Sequence, residues 1–138
     1  MGGVSIPYPK GLEGHSDADV LIHAICDALL GAAGLRDIGF HFPNSDASFK
    51  DADSKLLLKH VCKLLAEKKY RVGNIDATVC LEEPKINPHI PEMTAALSAV
   101  MHIDSLQISI KATTNEGIGF VGRKEGVSAY AVALIESL

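Results

Sequence analysis

His15, Ser16, Asp17 and Asp19, with His23 four residues further on, form the densest polar cluster of the chain. On a helix, Asp19, His23 and Asp27 fall at i, i+4 and i+8 and share one side. A histidine on such a stripe can ligate a metal while an acid orients its other ring nitrogen. The same residues also suit a helix start and a satisfied core histidine, and one histidine needs at least two further ligands. A second candidate is Lys111-Ala112-Thr113-Thr114-Asn115-Glu116, followed by Gly117 and Gly119. Consecutive hydroxyls at a strand end, between Lys111 and Arg123, offer donors to phosphoryl oxygens. Glu116 in that group repels an anion unless a divalent cation lies between them, which would imply Mg²⁺ or Mn²⁺. The plainer alternative is a polar strand exit into a glycine-rich turn. Asp37-Ile38-Gly39 and Phe42-Pro43-Asn44-Ser45-Asp46 are turn sequences. In a binding role, they would close over a ligand with main-chain N–H groups and side-chain oxygens. No phosphate loop, nucleophile elbow or Cys–His pair is present.

Elements must position these groups. Ser16 and Asp19 have capping-box spacing, and Val20, Ala24, Ile25, Ala28, Leu29 and Ala32 recur at helical intervals before Gly34. A loop is predicted from Gly34 to Asp51. A second helix is predicted over about 52–69, with Leu56, Leu57, His60, Val61, Leu64 and Leu65 as its apolar stripe. From Val72 the period becomes two: Ile75, Ala77, Val79 and Leu81 alternate with polar or small residues, which predicts a half-buried strand. A third helix is predicted over 91–101, with Pro91 in its first turn, and another strand through Leu106, Ile108, Ile110 and Ala112. The opening Gly-Gly and X-Pro pairs suggest a short edge strand and a turn, and Val127 to Ile135 fits either period. The order predicts an α+β fold with helices on one face of a mixed, mainly antiparallel sheet.

The 138 residues are one domain's worth, 47% hydrophobic and 22% charged, enough to build a core. A net charge of -4 and 5% aromatic residues argue against nucleic-acid binding, and no run is long enough to span a membrane. Cys26, Cys62 and Cys80 read as buried free thiols of a reducing, cytoplasmic setting.

Together, HSDADV with His23, DIGxxFP and KATTNExxGFxGRxEG resemble the 2-C-methyl-D-erythritol 2,4-cyclodiphosphate synthase family, over essentially all of residues 1–138. The resemblance implies a single domain, a homotrimer with its sheets facing the three-fold axis, active sites between subunits, and a C-terminal strand. It implies the substrate 4-diphosphocytidyl-2-C-methyl-D-erythritol 2-phosphate, cyclised with release of CMP. By the same resemblance His15 and Thr114 match transition-state stabilisers. Residues His15, Ser16, Asp37, Ile38, Gly39, Phe42, Pro43, Asn44, Ser45 and Asp46 match contacts to the methylerythritol phosphate. Leu81, Lys85, Ile86 and Asn87, with Ala112, Thr113 and Thr114, match the cytidine pocket. Asn115, Glu116, Phe120 and Arg123 match further substrate contacts. His23 matches a ligand of Zn²⁺ or another divalent cation, and Glu116 the ligand of Mg²⁺ or Mn²⁺ between the substrate phosphates. The family's Asp-x-His strand, source of two more zinc ligands, is not found ahead of Gly14. The expectation is a shortened sequence of a normal enzyme. The alternative is an impaired trimer that still binds cytidine nucleotides or an isoprenoid.

Overall fold

The structure, a computed structural model, describes residues 1–6, 19–43 and 53–138. Its helices are α1 (Val20–Ala32), α2 (Ile38–His41), α3 (Ser54–Glu67), α4 (Ile90–Met101) and α5 (Gly119–Gly122). Its strands are β1 (Tyr70–Cys80), β2 (Ile108–Thr113) and β3 (Ser128–Ser137). The α+β class holds. The sheet has the order β2-β1-β3 and is mixed: β1 runs parallel to β2 and antiparallel to β3. None of the described helices is long and apolar enough to cross a membrane.

The core lies between the helices and one face of the sheet. Leu21, Ile22, Ile25, Leu29 and Leu30 of α1 are fully buried, and each such side chain contributes about 1.5–3 kcal/mol. Helix α1 lies against β3 and α3. The face of β3 packed on the core carries Ala129, Ala131, Ala133 and Ile135, so small side chains meet the bulky ones of α1. The opposite face carries Tyr130, Val132 and Leu134, which are 66%, 72% and 60% exposed.

Strand β1 follows its predicted alternation, with Val72, Ile75, Ala77 and Val79 buried. The phase slips once, because Val72 pairs with Ile135 and Asn74 with Leu134, leaving Gly73 as a bulge. A Cβ at Gly73 would stand 2.9 Å from the Leu134 carbonyl oxygen, so glycine is required there.

Several predicted boundaries move. Residues 1–6 form a turn, closed by Val4 N–H on the Met1 carbonyl at 3.0 Å, and contain no strand. Helix α1 begins at Val20 with Asp19 as its N-cap, three residues after the Ser16 start that the capping-box spacing suggested. The Asp19 carboxylate also accepts the N–H groups of Gly2 (2.9 Å) and Gly3 (2.8 Å), which satisfies it in a buried position. The predicted loop after Gly34 contains α2. The buried stripe of α3 is Ser54, Leu57, Leu58, Val61 and Leu65, whereas Leu56 is 54% exposed and His60 is exposed. Leu106 is 92% exposed in a 3-10 turn, Ser105–Gln107, whose capping box is made by Asp104 and Gln107. Strand β2 therefore starts at Ile108. The segment from Ser128 is a strand, as the resemblance implied.

Of the thiols, Cys26 is buried while Cys62 and Cys80 are only half-buried; all three are free.

Candidate active site

Parallel pairing brings the ends of β1 and β2 to the same end of the sheet. Their last registered pair is Cys80 with Thr113, and Leu81 N–H continues the ladder to the Thr113 carbonyl at 2.9 Å. The segments that follow, 81–87 and 114–118, therefore leave side by side. Leu81 (4% exposed) and Ile86 (1%) turn into the core, so their contribution to a ligand is through main-chain atoms. Between them, Lys85 is exposed, and Asn87, also exposed, opens a 3-10 turn. Ala112 is half-buried, Thr113 exposed and Thr114 half-buried.

The turn after β2 is built by local hydrogen bonds. Thr114 Oγ1 accepts the N–H of Glu116 at 3.3 Å, and Ile118 N–H donates to the Asn115 carbonyl at 3.0 Å. Glu116 sits at φ 51° and Gly117 at φ 80°, so a non-glycine residue occupies the left-handed region. Helix α5 folds back on this turn: a Cβ on Gly122 would run into the Gly117 backbone. Two side-chain links reach it from elsewhere. Glu82 Oε1 accepts Asn115 N–H at 2.8 Å, and Lys124 Nζ pairs with Glu83 Oε1 at 2.9 Å. Phe120 is 51% exposed on α5. Arg123 donates to both oxygens of Glu125, from Nε at 2.9 Å and from Nη2 at 3.3 Å. This hydrogen-bonded pairing holds the Glu125 carboxyl below its usual range and raises the guanidinium's pKa. It leaves the other guanidinium N–H groups for a phosphate.

A second group lies on the helical layer. His23 Nε2 is 3.1 Å from the hydroxyl of buried Ser54. Asp27 Oδ1 accepts the N–H of Ile38 at 2.9 Å, and Asp37 Oδ1 caps α2 by accepting Phe40 N–H at 3.0 Å. The DIG turn is thus held from α1, with Gly39 exposed within it. Phe42 stacks obliquely on His60 with ring centroids 6.0 Å apart, and Pro43 is exposed beyond it. The predicted stripe of Asp19, His23 and Asp27 exists, but its carboxylates are engaged with main-chain N–H groups of different segments. Among the described residues, no group of three or more His, Cys, Asp or Glu could hold a metal. His15, Ser16, Asn44, Ser45 and Asp46 lie outside the described residues.

The residues not singled out in the sequence tie one segment to another: Glu82 onto Asn115, Glu83 onto Lys124 and Ser54 onto His23. Glu82 and Glu83 stand together ahead of Pro84, but nothing local tells that one meets the Asn115 N–H and the other the Lys124 ammonium.

The chain is similar in sequence and in fold to known proteins. A 2-C-methyl-D-erythritol 2,4-cyclodiphosphate synthase of Porphyromonas gingivalis is 62% identical over 135 residues, covering 98% of this chain and 83% of its own. The bifunctional IspDF of Campylobacter jejuni superposes with a TM-score of 0.95 at 39% identity, over 99% of this chain and 37% of that longer one. IspF of Plasmodium falciparum, in a CDP complex, superposes with a TM-score of 0.80 at 34% identity, over 91% of this chain and 75% of its own. A profile of the YgbB family matches residues 1–136, and the chain belongs to that family.

Proposed function

We propose that this chain cyclises 4-diphosphocytidyl-2-C-methyl-D-erythritol 2-phosphate to 2-C-methyl-D-erythritol 2,4-cyclodiphosphate with release of CMP. The observation that carries this reading is the pair of segments, 81–87 and 113–116, held side by side at the end of the parallel strand pair. The 62% identity to a synthase of that name supports it. An oxygen of the 2-phosphate attacks the β-phosphorus, the bond from that phosphorus to the bridging oxygen breaks, and CMP leaves with the electron pair. No protein nucleophile takes part. The protein has to hold two anions in line and stabilise charge in the transition state.

At an effective dielectric near 20, two unit charges 4 Å apart repel by about 4 kcal/mol, so cationic and hydroxyl donors decide the rate. Thr114, with Thr113 beside it, supplies hydroxyl donors, while Arg123 and Lys85 supply positive charge. Main-chain groups of Leu81, Ile86, Asn87 and Ala112 line the cytidine. Asp37, Ile38, Gly39, Phe42 and Pro43 bind the methylerythritol phosphate, a role that His15, Ser16, Asn44, Ser45 and Asp46 share. His15 joins Thr114 in stabilising the transition state, and Asn115 and Phe120 complete the substrate contacts.

Glu116, an exposed carboxylate beside the threonine hydroxyls, is the residue that would hold a divalent cation against the phosphates. Such an ion, Mg²⁺ or Mn²⁺, would neutralise the converging phosphates. At His23 the described residues do not complete a tetrahedral Zn²⁺ site, and no step is assigned to one there.

Residues 1–138 act as one domain within a homotrimer. The outward apolar side of β3, with Tyr130, Val132 and Leu134, supports a sheet-to-sheet assembly around the three-fold axis. Placing the helical-layer group and the strand-end group on neighbouring protomers then completes each site. Phosphorus-31 NMR of substrate with the chain and Mg²⁺ tests the reading. CMP and a cyclic diphosphate are expected; ligand bound without turnover would overturn it in favour of a binding module.

A further inference from the structure

We infer that Glu82 is a positioning residue, which sets the turn carrying Thr114 and Glu116 through the main chain of Asn115. The inference rests on the cyclisation reading above. Three observations meet at this residue. The turn after β2 is not a relaxed one, since Glu116 lies at φ 51° with a full side chain, a conformation that persists when surroundings over-determine it. The turn's own bonds are modest: a 3.3 Å contact from Glu116 N–H to the Thr114 hydroxyl and one turn-closing bond from Ile118 N–H. The shortest bond to it is the 2.8 Å bond from Asn115 N–H to Glu82 Oε1, a charge-assisted bond from a half-buried carboxylate 33 residues away in sequence. Asn115 stands between the threonine pair and Glu116, so the bond fixes the hinge of the turn from outside.

Glu82 also follows Leu81, whose N–H is bonded to the Thr113 carbonyl. The two bonds run in opposite chemical senses, one donating from the 81–87 segment and one accepting into it. Together they lock both segments in register, which a single bond would leave free to pivot. Without the carboxylate, Asn115 N–H turns to water and the turn is free to leave its left-handed geometry. The threonine hydroxyls and the Glu116 carboxylate then no longer converge. Glu82 need touch no substrate atom for this.

The test uses the full chain with Glu82→Ala, Glu82→Gln and Glu82→Asp. Glutamine keeps an acceptor oxygen at the same reach, whereas aspartate keeps the charge but withdraws the acceptor by one methylene. For Glu82→Ala, kcat/KM should fall about 10- to 100-fold, the range expected for loss of a hydrogen bond to a charged group. The apparent Mg²⁺ activation constant should rise in parallel, with Tm nearly unchanged, and Glu82→Gln should recover most of the activity. Wild-type kcat/KM and Mg²⁺ dependence in Glu82→Ala would overturn the inference. If Glu82→Ala does not fold, Glu82→Asp decides: wild-type kinetics in it overturns the role, and a raised Mg²⁺ constant supports it. If the unaltered chain makes no CMP, the cyclisation reading fails instead, and calorimetry with CDP decides the positioning role separately. Weakened CDP binding in Glu82→Ala supports it, and unchanged binding overturns it.

Discussion

The Asp27 carboxylate accepts the main-chain N–H of Ile38 at 2.9 Å, and this bond ties the outer side of α1 to the DIG turn. Asp37, one residue earlier, spends its own carboxylate capping Phe40 N–H. The turn is therefore gripped at Ile38 from outside and at Phe40 from within.

Replacing Asp27 by alanine should loosen that turn at a cost of about 0.5–1.5 kcal/mol in stability, since the bond is exposed and a water can take its place. Asp27→Asn, which retains an acceptor oxygen, should lose less. The kinetic signature is a raised KM for the methylerythritol substrate with a smaller effect on kcat. Denaturant melts and steady-state kinetics on both variants check it.

Gly122→Ala should be the more damaging change although it adds one methyl group. The new Cβ would run into the Gly117 backbone, pushing α5 away from the turn that carries Glu116. Overpacking of this kind costs about 1–3 kcal/mol, and here it displaces Phe120 and Arg123 as well. CDP affinity by calorimetry should drop along with Tm, whereas Gly31→Ala, whose Cβ meets nothing and whose backbone is helical, should leave CDP affinity alone.

The thiols give a pH test. Burial pushes the Cys62 thiol up to about 11 and that of Cys26 higher still, helped there by the neighbouring Cys62 and Asp27. Both are therefore protonated at neutral pH. At pH 8 about one Cys62 in a thousand is thiolate, so alkylation in the native state should be slow until the chain is unfolded. The linkage follows in sign: an unfolded thiol titrates near about 8.5, so the unfolded chain loses its proton first. This contribution to stability is complete below about pH 8.5 and is lost as pH rises through about 11. Mass-spectrometric labelling and melts between pH 7 and 11 check both parts.

Val132→Glu tests the assembly. Val132 is 72% exposed on the outward side of β3, between Tyr130 and Leu134, so the folded chain by itself tolerates a charge there. If three sheets close around an axis, the carboxylate is buried against its copies. Light scattering should then show a monomer in place of a trimer, with activity lost and α-helical circular dichroism kept.

Much of the fold was legible because it rests on local periodicity. The existence of α1 and the alternation of β1 follow from spacing alone, up to the Gly73 bulge, where one extra residue shifts the phase. The buried side of α1 is rotated from the expected stripe: Leu21, Ile22, Cys26 and Leu30 are buried with Ile25 and Leu29, whereas Val20, Ala24 and Ala28 are half-buried and Ala32 is exposed. The stripe of α3 is rotated from the expected one because Leu56, Leu57 and Leu58 are consecutive and fit two phases. Only packing against α1 and β1 chooses Leu58 over Leu56. Leu106 continued an alternation that the Asp104–Gln107 capping box interrupts. Strand β3 was ambiguous because its core-facing positions are mostly alanines, which suit a helix as well. At the candidate site, the types of Thr113, Thr114, Glu116 and Arg123 suggest phosphate donors and a cation ligand, and a polar strand exit reads the same way. The bonds of Glu82 to Asn115 and Asp27 to Ile38 join segments by tertiary contact, and no local pattern encodes them.

The most direct test of intramolecular attack is turnover in oxygen-18-labelled water, with both products weighed by mass spectrometry. The account predicts one CMP for each cyclic diphosphate and no heavy oxygen in either. Heavy oxygen in a ring-opened phosphate product, or substrate returned intact with Mg²⁺ present, would contradict it.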